Sequence, residues 1–195
     1  MRGIIMKNKY VMTRRDNILY VQDHLDNFVS NALHLSRYSE DDPLRSIAQN
    51  NFYAGFDYIM NNPDVENDNH CLLEIHTILM DGLNEEIVGS LTDEQIEELD
   101  AMLNQPAKAN VEIAIDVMLY ILDKRLFKDG DVRVAIMFAN KFMIDHGCGI
   151  ITVFKSKADT FRTMYKAYRA QEEKTDEFKN WIYKYCVRGP KVEYQ

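Results

Sequence analysis

Apolar side chains recur at the three- and four-residue spacing of an α-helix along most of this 195-residue chain. The first such run would line one stripe of a single long helix. It contains Ile18, Val21, Leu25, Phe28, Ala32 and Leu35. Because this period dominates the sequence, we predict a fold that is mostly α-helical.

Turn and capping residues divide the chain into further helices. Pro43 fits the first turn of a second helix. The side chains predicted to face inward from it are Leu44, Ile47, Phe52, Gly55 and Ile59. A third helix closes near Gly82, and its shared apolar face would consist of Leu72, Ile75, Ile78 and Leu79. The sequence TDEQ at 92–95 has the capping-box pattern and predicts a helix that extends to about Leu103.

The last fifty residues predict a change of structure followed by two closing helices. After Gly147 the β-branched sequence GIITV is typical of a short strand or an extended link. Two amphipathic patterns then place the closing helices at about 157–188. Since no internal repeat or linker is visible, we predict an N-terminal extension at 1–15 and a single domain at 16–195.

Composition restricts the class of protein and its partners. Apolar residues make up 46% and charged residues 28%, which is ordinary for a soluble globular domain. The net charge of −8 weighs against broad attraction to nucleic acid or anionic lipid, so neither is predicted as a partner. The cysteines are odd in number and far apart, which favours a reducing compartment and predicts a cytoplasmic protein. They are Cys71, Cys148 and Cys186.

The segment RLFKDGDVRVAIMFANKFMIDHG, 125–147, predicts a helix that is apolar on nearly every side. Such a helix belongs in the middle of a bundle. Asp131 is a favourable N-cap residue, and Gly147 suits the left-handed position after the last turn. By themselves, the apolar pattern and the two capping residues predict a well-capped helix in the core.

The start of this helix also has the composition of a phosphate-binding site. A helix N-terminus behind a glycine-containing turn presents unpaired backbone N–H groups and a partial positive charge. Arg133 would add a fork-shaped donor for phosphate oxygens, and Asp129 could ligate a Mg²⁺ ion between two phosphates. Gly130 and Asp131 complete the candidate site.

The segment resembles the signature of the Fic/Doc family, HPFx(D/E)GNGRxxR. Phe127, Asp129, Gly130 and Arg133 match that pattern. The resemblance implies an all-α bundle around a buried central helix, with a possible short β flap. It also implies ATP and magnesium as cofactors if the site is retained, and transfer of AMP to a serine, threonine or tyrosine hydroxyl of a target protein.

Departures from the signature fall on the residues that would carry out the transfer. Arg125 occupies the position of the motif histidine, the base that takes the hydroxyl proton, and a guanidinium cannot be deprotonated in the accessible pH range. Asp131 replaces the asparagine and places a carboxylate where a phosphate would approach. Val132 and Ile136 stand where a glycine or lysine and the second arginine are expected.

Two other segments resemble parts of the family. Many members restrain themselves through a helix whose glutamate pairs with the second arginine. In SNALHLSR, 30–37, Ser36 falls at the position of that glutamate, so this ion pair would be absent together with its arginine. The sequence NEEIVGSL, 84–91, stands where members of the family carry a flap that receives an extended target segment. The flap residues predicted from it are Glu86, Ile87, Val88 and Gly89.

No other residue is predicted to replace the missing base. His76 lies on an apolar stripe and is interpreted as a core histidine, unless the fold brings it to the 125–131 loop. His146 lies at the far end of the helix, about 20 Å from the loop at roughly 1.5 Å per residue. The basic residues of 155–191 are interpreted as a solvent-exposed face. The aromatic side chains among them could stack bases but are at core spacing. They are Tyr165, Tyr168, Trp181 and Tyr185.

Two functions follow from the resemblance and its departures. The first is a catalytically impaired protein on the Fic/Doc fold that acts by binding another protein, such as a target or an antitoxin-like inhibitor. The alternative is an active transferase, of AMP or another phosphate-containing group, that works without a histidine and acts as a toxin. The first requires no cofactor. Self-association is compatible with either.

Overall fold

The structure is a computed structural model that describes residues 5–36, 38–83, 91–127, 129–170 and 176–190. Within these residues it is mostly helical, which confirms the predicted fold class. The helices are α1 (Arg14–Asp23), α2 (Leu25–Leu35), α3 (Arg45–Asn61), α4 (Asn69–Met80), α5 (Asp93–Leu103), α6 (Asn110–Lys124), α7 (Asp131–Asp145), α8 (Ala158–Ala170) and α9 (Asp176–Cys186). Two strands, β1 (Ile150–Ile151) and β2 (Val187–Arg188), pair antiparallel. None of the described helices is long and apolar enough to span a membrane.

Helix α7 lies at the centre of the bundle, as its all-round apolar pattern predicts. Every residue from Val134 to Ile144 except Ile136 is buried. The helix packs against α1, α3, α4, α6 and β1, so each of its sides meets another element. The end of α7 is also as predicted, since Gly147 has a φ of +61° directly after the C-cap residue His146.

A charged network closes the C-terminal end of α7. Lys141 is fully buried, and its ammonium donates to the carbonyl of Val65 at 2.9 Å and to the carboxylate of Asp145. Arg14 donates from Nε to Asp145 at 2.9 Å, and Asn67 donates from Nδ2 to the same carboxylate at 2.9 Å. Two cations therefore share one carboxylate at the point where α1 and α7 meet the loop after α3.

The first helical run is not one helix. It divides at His24, whose φ of −121° leaves the helical region between α1 and α2. Val21 before the break and Phe28 after it are both buried, so the apolar spacing continues across the break and gives no sign of it. The prediction of a single helix was therefore wrong in this detail.

The second helix begins later than predicted. It starts at Arg45, so Pro43 precedes the helix, and Leu44 occupies the N-cap position with 39% of its surface exposed. Leu44 therefore does not face inward, whereas Phe52, Gly55 and Ile59 are buried as predicted. In the third helix Leu72, Ile75 and Leu79 are buried.

Two local predictions are confirmed. Thr92 and Gln95 form a complete capping box at the start of α5, in which each side chain accepts a backbone N–H of the other residue. The sequence GIITV contains β1, whose residue Ile151 pairs with Val187 of β2. The strand thus connects the end of α7 to the end of α9.

Residues 5–13 (the N-terminal segment) have no regular secondary structure and pack against the bundle. Asn8 accepts the N–H of Val111 at 3.0 Å and so caps α6, whose own N-cap residue offers no side-chain acceptor. The N–H of Met12 donates to the carbonyl of Gly147 at 3.0 Å. Met6 is buried. The N-terminal segment is therefore an integral part of the packing around α6 and α7.

Candidate functional site

The loop between α6 and α7 adopts left-handed backbone conformations at both ends. Arg125, the C-cap residue of α6, has a φ of +49°, and Gly130 has a φ of +88°. Gly130 is the N-cap residue of α7, so the prediction that Asp131 caps the helix is wrong. The left-handed turn at Gly130 moves the cap position one residue earlier and makes Asp131 the first residue of the helix.

Asp131 instead closes the loop on itself. Its Oδ1 accepts the backbone N–H of Phe127 at 3.1 Å. Burial of the carboxyl group raises its pKa to about 6, although this hydrogen bond and the nearby guanidinium groups of Arg125 and Arg169 lower it. At neutral pH the N-terminus of α7 thus has the carboxylate of Asp131 beside it, as the sequence predicts. Burial makes the ionised form of this carboxyl group less stable than it would be in water.

The effect of Asp131 on stability has a definite sign. Because its pKa is raised in the folded chain, the folded state binds more protons than the unfolded state between about pH 4 and 6, and stability falls as pH rises through that window. We expect Asp131→Asn to raise the free energy of unfolding by about 1–2 kcal/mol at pH 7.5 and to leave it nearly unchanged at pH 4. Urea titrations at the two pH values measure this difference. An equal effect at both would contradict the burial of the carboxyl group.

Arg133 is engaged by groups of the protein itself. Its Nη1 donates to the hydroxyl of Tyr38 at 2.9 Å, and its Nη2 lies 3.5 Å from Oδ1 of Asp129. The guanidinium also lies over the Tyr38 ring, 5.6 Å from the centroid. Only 10% of the Arg133 side chain is exposed, so this arginine is held in one orientation at the start of α7.

His76 lies directly beneath the loop, a position that could not be inferred from its apolar stripe. Its ring stacks on Phe127 with centroids 4.1 Å apart, and Nε2 lies 3.2 Å from the carbonyl oxygen of Asp129. Only a protonated Nε2 can donate to that carbonyl, so the neutral ring has Nδ1 as its acceptor. Nδ1 is buried without a partner, and burial lowers the pKa of the ring. His76 therefore supports the loop and does not face the solvent side of the site.

An open hollow of about 330 Å³ lies on the solvent side of the loop. It brings together the candidate residues Arg125, Asp129, Gly130, Asp131 and Arg133. Two residues of α8 that were not predicted for the site also line it, Tyr165 and Arg169. Their four-residue spacing within the basic closing segment was visible in the sequence and would have placed both on one face of a helix.

Tyr165 holds α8 against α6, beside the loop. Its hydroxyl donates to the carbonyl of Leu122 in α6 at 3.0 Å, and Arg169 lies over its ring, 5.9 Å from the centroid. Tyr165 is thus partly buried, in agreement with the core spacing of the aromatic residues, and its ring is a wall of the hollow. Arg169 lies in the last turn of α8 and is exposed.

Ser36 and Ile136 line the same small apolar cavity beside the hollow, of about 30 Å³. These are the two positions at which the resemblance to the Fic/Doc family places a glutamate and its arginine. The C-terminal end of α2 and the first turns of α7 therefore face each other here, although neither position carries a charge. The cavity is lined mainly by apolar side chains.

The residues present fit a magnesium–ATP complex poorly. Oδ1 of Asp129 accepts the N–H of Gly130 at 2.7 Å and faces Arg133, so the expected metal ligand already has partners within the loop. The Asp131 carboxylate lies at the helix N-terminus, where it opposes a phosphate. Among the described residues, no group of three His, Cys, Asp or Glu side chains is arranged to hold a metal ion. The predicted flap residues Glu86, Ile87, Val88 and Gly89 lie outside the described residues.

Comparison of the chain with protein-family models and with curated protein sequences finds no match. The resemblance to the Fic/Doc family therefore depends on the residues of the 125–147 segment and its neighbours.

Proposed function

We propose that this protein is a catalytically inactive protein with a Fic/Doc-like helical fold, and that it acts by binding another protein. One observation carries the proposal. The hollow at the start of α7 has a guanidinium, that of Arg125, at the position where transfer requires a base.

The neighbouring groups support the same conclusion. The imidazole of His76 is buried beneath the loop, where Nε2 donates to the carbonyl of Asp129 and Nδ1 has no partner. It is therefore poorly placed to take a proton from a hydroxyl on the solvent side. Asp129 and Arg133 bind each other across the first turn of α7. A site whose donor and acceptor groups are mutually paired must break those contacts before it can hold a nucleotide.

The absence of transfer is directly testable. We expect no labelled protein after incubation with α-³²P-labelled ATP and magnesium in a lysate of the cognate cell. The matched control is Asp129→Ala, which removes the expected metal ligand without disturbing the core, because Asp129 is exposed. A labelled band in the unmodified protein that disappears in Asp129→Ala would overturn the proposal.

Protein binding is tested through the predicted flap. If the flap receives a partner, Ile87→Asp should abolish capture of that partner from the cognate lysate, because an added carboxylate opposes strand addition by an apolar segment. Leu19→Asp is the matched control, since Leu19 is 48% exposed on α1 and belongs to no part of the site. Equal capture by both variants would remove the flap from the proposal.

The alternative function is supported by one observation. Asp131 lines the hollow, and its pKa of about 6 would suit a base that takes a hydroxyl proton near neutral pH. In an active transferase of this kind Asp131→Asn would abolish labelling, and labelling in the unmodified protein would rise as pH increases through 6. Our proposal expects no labelling at any pH.

A further inference from the structure

Guanidinium groups from three different elements converge on the hollow at the start of α7. Arg125 ends α6, Arg133 lies in the first turn of α7, and Arg169 lies in the last turn of α8. The chain as a whole has a net charge of −8, so this cluster of arginines is opposite in sign to the chain's net charge. Low-dielectric walls focus the field of such a group of charges on whatever enters the hollow.

Two of the three arginines are available to a ligand. Arg125 and Arg169 are exposed, and neither forms an ion pair with a carboxylate in the part of the chain that the structure describes. Arg133, by contrast, is paired with Tyr38 and Asp129. Arg125 and Arg169 therefore provide fork-shaped donors at the exposed side of the hollow, although Arg169 also contacts the Tyr165 ring. The less exposed Arg133 adds a third positive charge.

The carboxylate of Asp131 lies close enough to both exposed arginines that each lowers its pKa. Burial has the larger and opposite effect, so this anion is poorly stabilised in the position that it occupies. An incoming anion would compete with the Asp131 carboxylate for Arg125 and Arg169, which line the same hollow. The charged residues that line the hollow are thus three arginines and two aspartates, Asp129 and Asp131, so positive charge is in excess there.

The walls of the hollow favour a phosphate monoester over a nucleotide. A nucleobase needs a free aromatic face or an apolar slot. Among the described residues that line the hollow, the aromatic one is Tyr165, and Arg169 lies over its ring. The same ring stacks on Phe178 with centroids 6.2 Å apart and contacts Phe161, so it is engaged within the aromatic cluster of α8 and α9. What the hollow offers is charge and volume for a compact dianion on a short side chain.

We infer that this hollow binds a phosphorylated side chain of the partner protein, with Arg125 and Arg169 donating to the phosphate oxygens. The inference rests on the proposed function, because it names the chemistry by which the bound protein would be recognised. Arginine clusters are a recurrent means of recognising phosphorylated segments. Asp131 limits the affinity, since its charge competes with the phosphate for the same two arginines.

Phenyl phosphate is a suitable probe, because it carries a dianionic monoester without a nucleobase. In calorimetric titrations at pH 7.5 we expect Arg125→Gln and Arg169→Gln each to weaken its binding about tenfold or more, the size expected for a charge-assisted hydrogen bond. Asp131→Asn should strengthen binding, because the competing charge is gone. Lys166→Gln is the matched control, since Lys166 is an exposed cation of α8 that does not line the hollow.

Three results would overturn the inference: no binding of phenyl phosphate, binding that the two arginine substitutions leave unchanged, or tighter binding of ATP with magnesium than of phenyl phosphate. The last would assign the hollow to a nucleotide. Circular dichroism of each variant separates loss of binding from loss of folding.

A second experiment distinguishes failure of this inference from failure of the proposed function. The partner is captured from a cognate lysate before and after treatment of that lysate with a phosphatase. Loss of capture after treatment, and in Arg169→Gln, is the expected result. Capture that survives the phosphatase would keep protein binding and refute recognition of a phosphate, whereas AMP transfer in the labelling assay would refute the proposed function itself.

Discussion

Asp145→Ala is expected to lower the free energy of unfolding by about 3–5 kcal/mol, the usual cost of breaking a buried ion pair by removing one partner. The carboxylate of Asp145 accepts from Lys141, Arg14 and Asn67. The side chain of Lys141 has no exposed surface. Without the Asp145 carboxylate, its buried ammonium would keep the carbonyl of Val65 as its hydrogen-bond acceptor. Urea unfolding followed by far-UV circular dichroism measures the loss.

Lys141→Met is the matched substitution for this network. It removes the buried ammonium but leaves Asp145 paired with Arg14 at 2.9 Å, so no charge remains buried alone. Methionine also fills much of the space of the lysine stem. We therefore expect less than half the loss caused by Asp145→Ala. A loss below about 1 kcal/mol in Asp145→Ala would mean that water reaches the ammonium.

Gly147→Ala is the second substitution with a large expected effect. A β-carbon at Gly147 would lie 1.8 Å from the carbonyl oxygen of Met12, and the residue has a φ of +61°. Left-handed backbone strain costs about 1–2 kcal/mol and overpacking a further 1–3 kcal/mol, so we expect a total loss of about 2–5 kcal/mol. The hydrogen bond from the N–H of Met12 to Gly147 would be lost when the N-terminal segment moves away.

Gly82→Ala separates the contribution of left-handed backbone strain from that of overpacking. Gly82 has a φ of +67°, but the nearest atom to an added β-carbon is Cγ2 of Ile47 at 3.4 Å. Only the backbone strain applies there, and we expect a loss of about 1–2 kcal/mol. Thermal unfolding of both variants gives the cost of displacing the N-terminal segment as the difference between them. Equal losses of unfolding free energy in the two variants would show that Met12 moves away from residue 147 at no cost in free energy.

Local signals in the sequence were sufficient for the mostly helical fold and for the central position of α7. A helix that is apolar all round can be satisfied only inside a bundle, so its environment follows from its own residues. The capping box at Thr92 and the left-handed glycine after α7 were equally local. The break at His24 was not predictable in this way, because the apolar spacing is the same on both sides.

The candidate site was predictable only in part. The segment from Arg125 to Arg133 is contiguous, so its residues had to lie close together wherever the loop was placed. The cap position was wrong because aspartate is a common N-cap residue, whereas here the left-handed conformation of Gly130 takes that position. Arg169 lies 36 residues after Arg133, and only the packing of α8 on the loop brings it to the hollow.

The N-terminal segment reaches its place only when distant parts of the chain are present. The carbonyl of Tyr183 accepts from the ammonium of Lys9, and the Tyr183 hydroxyl donates to the carbonyl of Lys7 at 2.9 Å, across more than 170 residues. During synthesis on the ribosome, the segment must wait until α9 has emerged. Early folding of α1 to α7 would leave Asn8 available to α6, whereas the contacts of Lys7 and Lys9 with Tyr183 form only after α9 has been synthesised.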